Sequence, residues 1–270
     1  LQCLFAHSGI TDRISAMMNS HAALPNSGKV MLLQCIANMA ASKENAAILK
    51  QTIPLVIKRL DSSLELERTV SFQALTNLSF VIAPSQIEIF LPVIPICLKR
   101  QVFVNAPFSF IHANIQHNSS VYHQFLVGLW EKGETNINSL RLLINLSCCP
   151  DMVPYILAAK TVTGLLSILD TDKPEILLRA VTWLLCMSTA VQALSVTYEV
   201  IAPLNQDPFA NPNYTVYFSI YAPKGKRELV KRLNEIATGA DEAARKAKQL
   251  LETLAKIPDA RSLLSNLNRL

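Results

Sequence analysis

Seven glycines in 270 residues is a low count, and it removes several functions at once. A chain this poor in glycine has little material for loops that cradle phosphates, or for the tight turns of a sheet protein. Charged side chains make up only 17% of the residues. No apolar segment runs uninterrupted for about 18 residues, so no stretch reads directly as a membrane span. The first ten residues, "LQCLFAHSGI", lack the basic start and small-residue cleavage site of a targeting signal. They open in mid-pattern, as an excised domain would, and the expectation is that any membrane anchor lies upstream. There is no C-x-x-C, no G-x-S-x-G, no P-loop and no paired-carboxylate arrangement. His112, His117 and His123 follow Cys97, but gaps of five and six residues fit neither the i, i+4 helical pair nor the knuckle spacing that zinc requires. Neither an enzyme nor a metal or other cofactor is expected.

What the chain has in quantity is apolar residues, 50% of the total, which is ample for a large continuous core. The net charge of +5 is unevenly placed. Residues 1–223 carry 14 Lys/Arg against 14 Asp/Glu, and residues 224–270 carry 11 against 6, so the whole excess sits at the C-terminal end. Six cysteines, at 3, 35, 97, 148, 149 and 186, mostly lie inside apolar helical patterns and read as buried free thiols of a reducing compartment. Four N-x-S/T sites occur, at Asn77, Asn118, Asn145 and Asn213, but Asn77 and Asn145 lie within helical patterns rather than exposed loops.

One phrase recurs. Leu32–Ala40 reads "LLQCIANMA", Phe72–Phe80 reads "FQALTNLSF" and Leu140–Cys148 reads "LRLLINLSC". A weaker copy covers Phe110–Gln116, and "AVTWLLCMS" at Ala180–Ser188 puts Cys186 in the asparagine slot. From Asn38 to Asn77, Asn114, Asn145 and Cys186 the steps are 39, 37, 31 and 41 residues. A period near forty built from helices alone predicts an all-α, right-handed superhelical solenoid of armadillo (ARM/HEAT-like) type. Three helical patterns fit between Asn38 and Asn77, which favours armadillo over HEAT. Pro54 and Pro92 fall in first helical turns, where a missing N–H costs little. About six units are expected, over approximately 1–43, 44–83, 84–118, 119–149, 150–194 and 195–257, with 258–270 as a C-terminal capping helix.

The periodicity also places the asparagines. Ser139, Leu142, Leu143 and Leu146 form the inward i, i+3, i+4, i+7 face. Asn145 is about 200° round the helix from Leu143 and points away from that core, beside Arg141 one turn earlier. Gln34 with Asn38, and Gln73 with Asn77, repeat the pair. Stacked repeats would align them along one surface, where an amide's donor and acceptor can both pair with an extended peptide backbone. Asn38, Asn77, Asn114 and Asn145 are therefore the expected main-chain rungs of a partner-binding groove, flanked by Gln34, Gln73 and Arg141. On this reading their loss costs binding rather than stability. The bland alternative is that the amides cap or bridge neighbouring turns.

The phrase "ALTNLS" at Ala74–Ser79 resembles the third-helix signature of armadillo repeats, a family whose asparagine holds a partner's main chain in a concave groove. The tryptophans of the nuclear-import members are replaced here by Gln34, Gln73, Phe110 and Arg141, so a receptor for nuclear-localisation signals is not implied. A narrower likeness covers 138–184: Pro150 and Met152, Leu165–Ser167 and Glu175–Arg179 match the armadillo-like domain of the X-linked armadillo-repeat (ARMCX) proteins and the GPCR-associated sorting proteins (GASP). Residues 32–49 add Asn38, Asn45 and Ile48. This resemblance implies a non-enzymatic adaptor of the cytoplasm, on the cytosolic face of the mitochondrial outer membrane or on receptor tails.

Residues 205–223 break the rhythm with Pro208, Pro212 and Pro223, and read as a loop folded over the last core layer or, more sharply, as an extended segment lying in the groove. Beyond them come two helical patterns, with Asp241 and Glu242 suited to a helix start. The expected partner is a protein or peptide in the groove. The alternative is a basic-ended solenoid meeting an anionic membrane surface, or less expectedly nucleic acid, through Lys224, Lys226, Arg227, Lys231 and Arg232.

Overall fold

The computed structural model describes residues 9–80, 82, 86–99, 137–160, 165–204 and 212–260. Among these the only β feature is an isolated bridge between Lys160 and Thr215; everything else is helix and turn. In chain order the α-helices are α1 (Ile10–Asn19), α2 (Asn26–Met39), α3 (Lys43–Leu49), α4 (Ile53–Ile57), α5 (Glu65–Leu78), α6 (Ile87–Phe90), α7 (Val93–Lys99), α8 (Ile137–Ser147), α9 (Val153–Ala158), α10 (Pro174–Leu194), α11 (Tyr198–Ile201), α12 (Val216–Tyr221), α13 (Pro223–Ala237) and α14 (Glu242–Lys256).

Local chemistry sets several boundaries. Pro54, Pro154, Pro174 and Pro223 each sit in the first turn of a helix, where φ is already suited and no N–H is needed. Asp241 caps α14, its Oδ1 accepting from the Ala244 N–H at 2.8 Å. Thr215 caps α12 in the same way, through the Phe218 N–H. After α8 the chain turns sharply: the segment Pro150–Ala158 is bent by 109° from it.

The longer helices form a stack. α2 packs on α5, α5 on α8, α8 on α10 and α10 on α14, and the remaining helices, α13 among them, pack beside this row. This sequential stacking of one helix on the next is an all-α armadillo-type solenoid. Its continuous core includes Leu33, Ile36, Phe72, Leu75, Leu143 and Leu184. α10 is long and apolar enough to cross a membrane by length and composition, which a search for unbroken runs overlooks because Glu175 and Arg179 interrupt it. Here it is stacked between α8 and α14, with Trp183 fully buried.

α5 packs directly on α8, and the units expected over 84–118 and 119–149 lie largely outside the described residues. Two expectations change. Pro212–Tyr221 is neither loop nor extended strand but a 3-10 turn followed by α12. The prolines bound this helix instead of breaking it; its Tyr217 and Phe218 pack with Tyr198 at ring separations of 6.3 and 4.8 Å, and its Tyr221 lies 5.3 Å from Tyr217. Secondly, Cys97 is buried, but Cys35 and Cys148 are exposed and Cys149 and Cys186 are half-buried. The capping helix expected over 258–270 falls outside the described residues from 261 onward; 258–260 are not helical.

Candidate functional site

Asn38, Asn77 and Asn145 occupy equivalent positions on α2, α5 and α8. The Asn77 Nδ2 donates to the Ala37 carbonyl at 2.8 Å, 40 residues earlier. The Asn145 Nδ2 donates to the Thr76 carbonyl at 2.9 Å and to the Ser79 Oγ at 3.2 Å. Ala37 and Thr76 each immediately precede the asparagine of the helix they belong to, so each amide reaches the same point on the preceding helix. The donor half of the amide therefore ties repeat to repeat. The acceptor half stays open: neither Oδ1 takes a hydrogen bond from a described residue, and both side chains are half-buried at the surface of the stack. Asn38 donates to no carbonyl of another described helix, and its Oδ1 accepts from Gln34 Nε2 at 3.1 Å. Asn114 lies outside the described residues.

In the next rung the slot is held by Cys186. Burial, and then the neighbouring Cys148 thiol, push its pKa up to about 11, so the side chain is a neutral thiol. Gln73 lies half-buried one turn before Asn77. Arg141 is not free to recruit an acidic partner: it donates to Glu175 Oε1 on α10 at 2.8 Å and to Asn138 Oδ1 at 3.5 Å.

Two apolar residues on this face escaped the sequence reading. Leu66 and Phe80 are 56% and 72% exposed. Leu66, Gln73 and Asn77 are spaced by 7 and 4 residues and share one helical stripe, and Phe80 follows in the turn just beyond the end of α5. That spacing was the signal available. Phe80 and Asn77 wall a hollow of about 460 Å3 together with Ala41, Ala46 and Leu78. Lys43 and Lys50 also line it, from the exposed face of α3 and the 3-10 turn that follows. Neither lysine has an ion pair with a described residue.

The basic end is partly neutralised by the fold. The Lys226 ammonium holds the Ile257 carbonyl and Asp259, and Arg232 holds the Leu166 carbonyl, Asp170 and Glu228. Lys224, Arg227 and Lys231 are exposed, with Glu228 and Glu235 between and beyond them on α13.

No protein-family model matches the chain, and no curated protein matches it. Solved structures do. A crystal structure of an engineered protein is 12% identical with a TM-score of 0.51, over 93% of this chain and 99% of that one. A designed armadillo repeat protein is 15% identical with a TM-score of 0.42, over 88% and 98% of the two chains. Computationally designed armadillo repeat proteins for modular peptide recognition are 15% identical with a TM-score of 0.40 at the same coverage. At these identities the likeness concerns fold alone.

Proposed function

We propose that the chain is a non-enzymatic adaptor that binds a protein segment on the exposed face of its third-helix stack. The hollow between Phe80, Asn77 and α3 carries this reading. An exposed aromatic ring, an open amide acceptor and two unpaired lysines converge there, and a peptide has a matching group for each. An apolar side chain of the partner fills the hollow, a backbone N–H is accepted by Asn77 Oδ1, and an Asp or Glu answers Lys43 or Lys50. Asn77 and Asn145 act as acceptors only, because their donors are committed within the stack.

The resemblance of 138–184 to the ARMCX and GASP domains suggests the setting: mitochondrial transport, on the cytosolic face of the outer membrane, or receptor trafficking. Co-fractionation of the endogenous protein with mitochondria or with receptor-bearing vesicles separates these. The basic-end alternative is weakened, since two of its five cations are already paired.

The groove reading is tested by selecting peptides from a random 12-residue library on the intact chain, then measuring their affinity for Phe80→Asp. A loss of at least about tenfold, roughly 1.4 kcal/mol, with an unchanged melting temperature is expected. Unchanged affinity overturns the site.

A further inference from the structure

The ladder of amides stops at α10, and where it stops two thiols meet. Asn77 and Asn145 each donate to the carbonyl just before the asparagine of the preceding third helix, Ala37 and Thr76. In that register Cys186 of α10 faces Ile144 of α8, and a thiol is too weak a donor to do the amide's work. α8 satisfies this carbonyl itself. The Cys148 N–H donates to the Ile144 carbonyl at 3.0 Å, whereas its counterparts Ala41 and Phe80 turn their N–H groups to Asn38 and Asn77. Cys148 is thereby folded over the point that Cys186 reaches, and the two thiols share a hydrogen bond. Cys148 is exposed and Cys186 half-buried. The adjacent Cys149 packs against the core instead. Among the described residues no group of three or more metal-ligating side chains forms, so the pair falls short of a zinc set.

We propose that Cys148 and Cys186 form a modification site, a thiol pair that a low-molecular-weight disulfide oxidises to a reversible bond between α8 and α10. Cys148 is the member that solvent reaches. Its thiolate attacks one sulfur of the oxidant, glutathione disulfide for example, and one glutathione leaves. Cys186 then loses its proton and attacks the Cys148 sulfur, and the second glutathione leaves. Two protein thiols are oxidised to one disulfide, the oxidant is reduced to two thiols, and the two protons end on the glutathiones. Burial holds the proton on Cys186 while Lys246 of α14 acts in the opposite direction, so the second step is the slower one. The product closes a loop of 37 residues and supplies at this rung the tie that an amide supplies at the two before it. A thiol reductant removes it. The site rests on the thiols alone and not on the partner proposed for the hollow at Phe80.

The test incubates the reduced, intact chain overnight with about 5 mM glutathione disulfide at about pH 8.5, where thiolates are available. Remaining thiols are then alkylated and the proteolytic peptides mapped by mass spectrometry without reduction. The expected product joins the Cys148 and Cys186 peptides and is released by dithiothreitol. It should form equally in Cys149→Ser and be absent from Cys148→Ser, while Cys186→Ser should stop at one glutathione on Cys148. The linked chain should melt at least about 4 °C above the reduced one, because the closed loop lowers the entropy of the unfolded state. That difference should vanish in Cys148→Ser. Three results overturn the proposal: a Cys186 that stays fully open to alkylation, a bond from Cys186 to any other cysteine, or a linked chain that melts no higher than the reduced one. The first two are read on the unsubstituted chain, so they stand even if a variant fails to fold.

Discussion

Asn145 donates its side-chain amide to the backbone carbonyl of Thr76, 69 residues earlier in the chain, and Asn77 does the same to Ala37. The repeated asparagine is thus a structural rung whose second face remains available, rather than a purely external binding group. Three chemically identical residues in one register then separate by cost. Asn77→Ala and Asn145→Ala should each lose about 1–2 kcal/mol of stability, since each leaves a neighbouring helix carbonyl without its donor. Asn38→Ala should stay within about 0.5 kcal/mol, because it has no such bond. Urea unfolding of the three variants checks this; equal effects at all three positions would contradict the ladder.

Close packing of α12 on α13 gives a second prediction. A Cβ at Gly225 would collide with the Ser219 carbonyl, which is backbone and cannot rotate away. Gly225→Ala should therefore cost about 1–3 kcal/mol by overpacking, although alanine is the better helix former. Thermal unfolding measures it, and a neutral or stabilised variant would show that the two helices lie further apart.

The polar cluster under α1 and α5 predicts a pH dependence. His21 is buried, 3.4 Å from Glu67 and 3.4 Å from Arg59. Burial holds its pKa below the usual histidine value, with Arg59 and Lys29 acting in the same direction and Glu67 against it. The folded state thus takes up its proton less readily than the unfolded one. Its contribution is complete above the ordinary histidine pKa of 6.5 and is lost as pH falls below it. Melting temperatures between pH 7.5 and 5 should decline, and the decline should be shallower in His21→Gln.

Cysteine reactivity provides a third check on placement. Cys35 and Cys148 are exposed and should alkylate first at pH 8. Cys186, raised to about 11, should lag, and the buried Cys97 should react only on unfolding. Fast labelling of Cys97 would mean that α7 does not pack as described.

How much of this was legible in the sequence depends on distance along the chain. The third helices announce themselves because "NLS" sits at the end of an apolar stripe, and Ser139, Leu142, Leu143 and Leu146 are buried as their spacing requires. Which half of each amide is used was not legible, since the acceptor for Asn145 belongs to a helix 69 residues away. Nor could spacing alone reveal that α8 packs on α5, because 58 residues separate the end of one helix from the start of the other. The aromatic helix α12 was hidden by prolines that turned out to mark its limits. Phe80 stands inside the recurring phrase but carries no signal of its own there, because a single exposed aromatic is common on protein surfaces and only its company with Lys43, Lys50 and Asn77 distinguishes it.

The central claim, that the exposed face around Phe80 and Asn77 binds a partner segment, is tested most directly by fluorescence anisotropy. A library-selected 12-residue peptide would be titrated against the intact chain, Phe80→Asp and the double variant Lys43→Glu/Lys50→Glu. Both variants should keep the melting temperature and weaken binding by at least about tenfold. Full affinity in both, with the fold intact, would contradict the account.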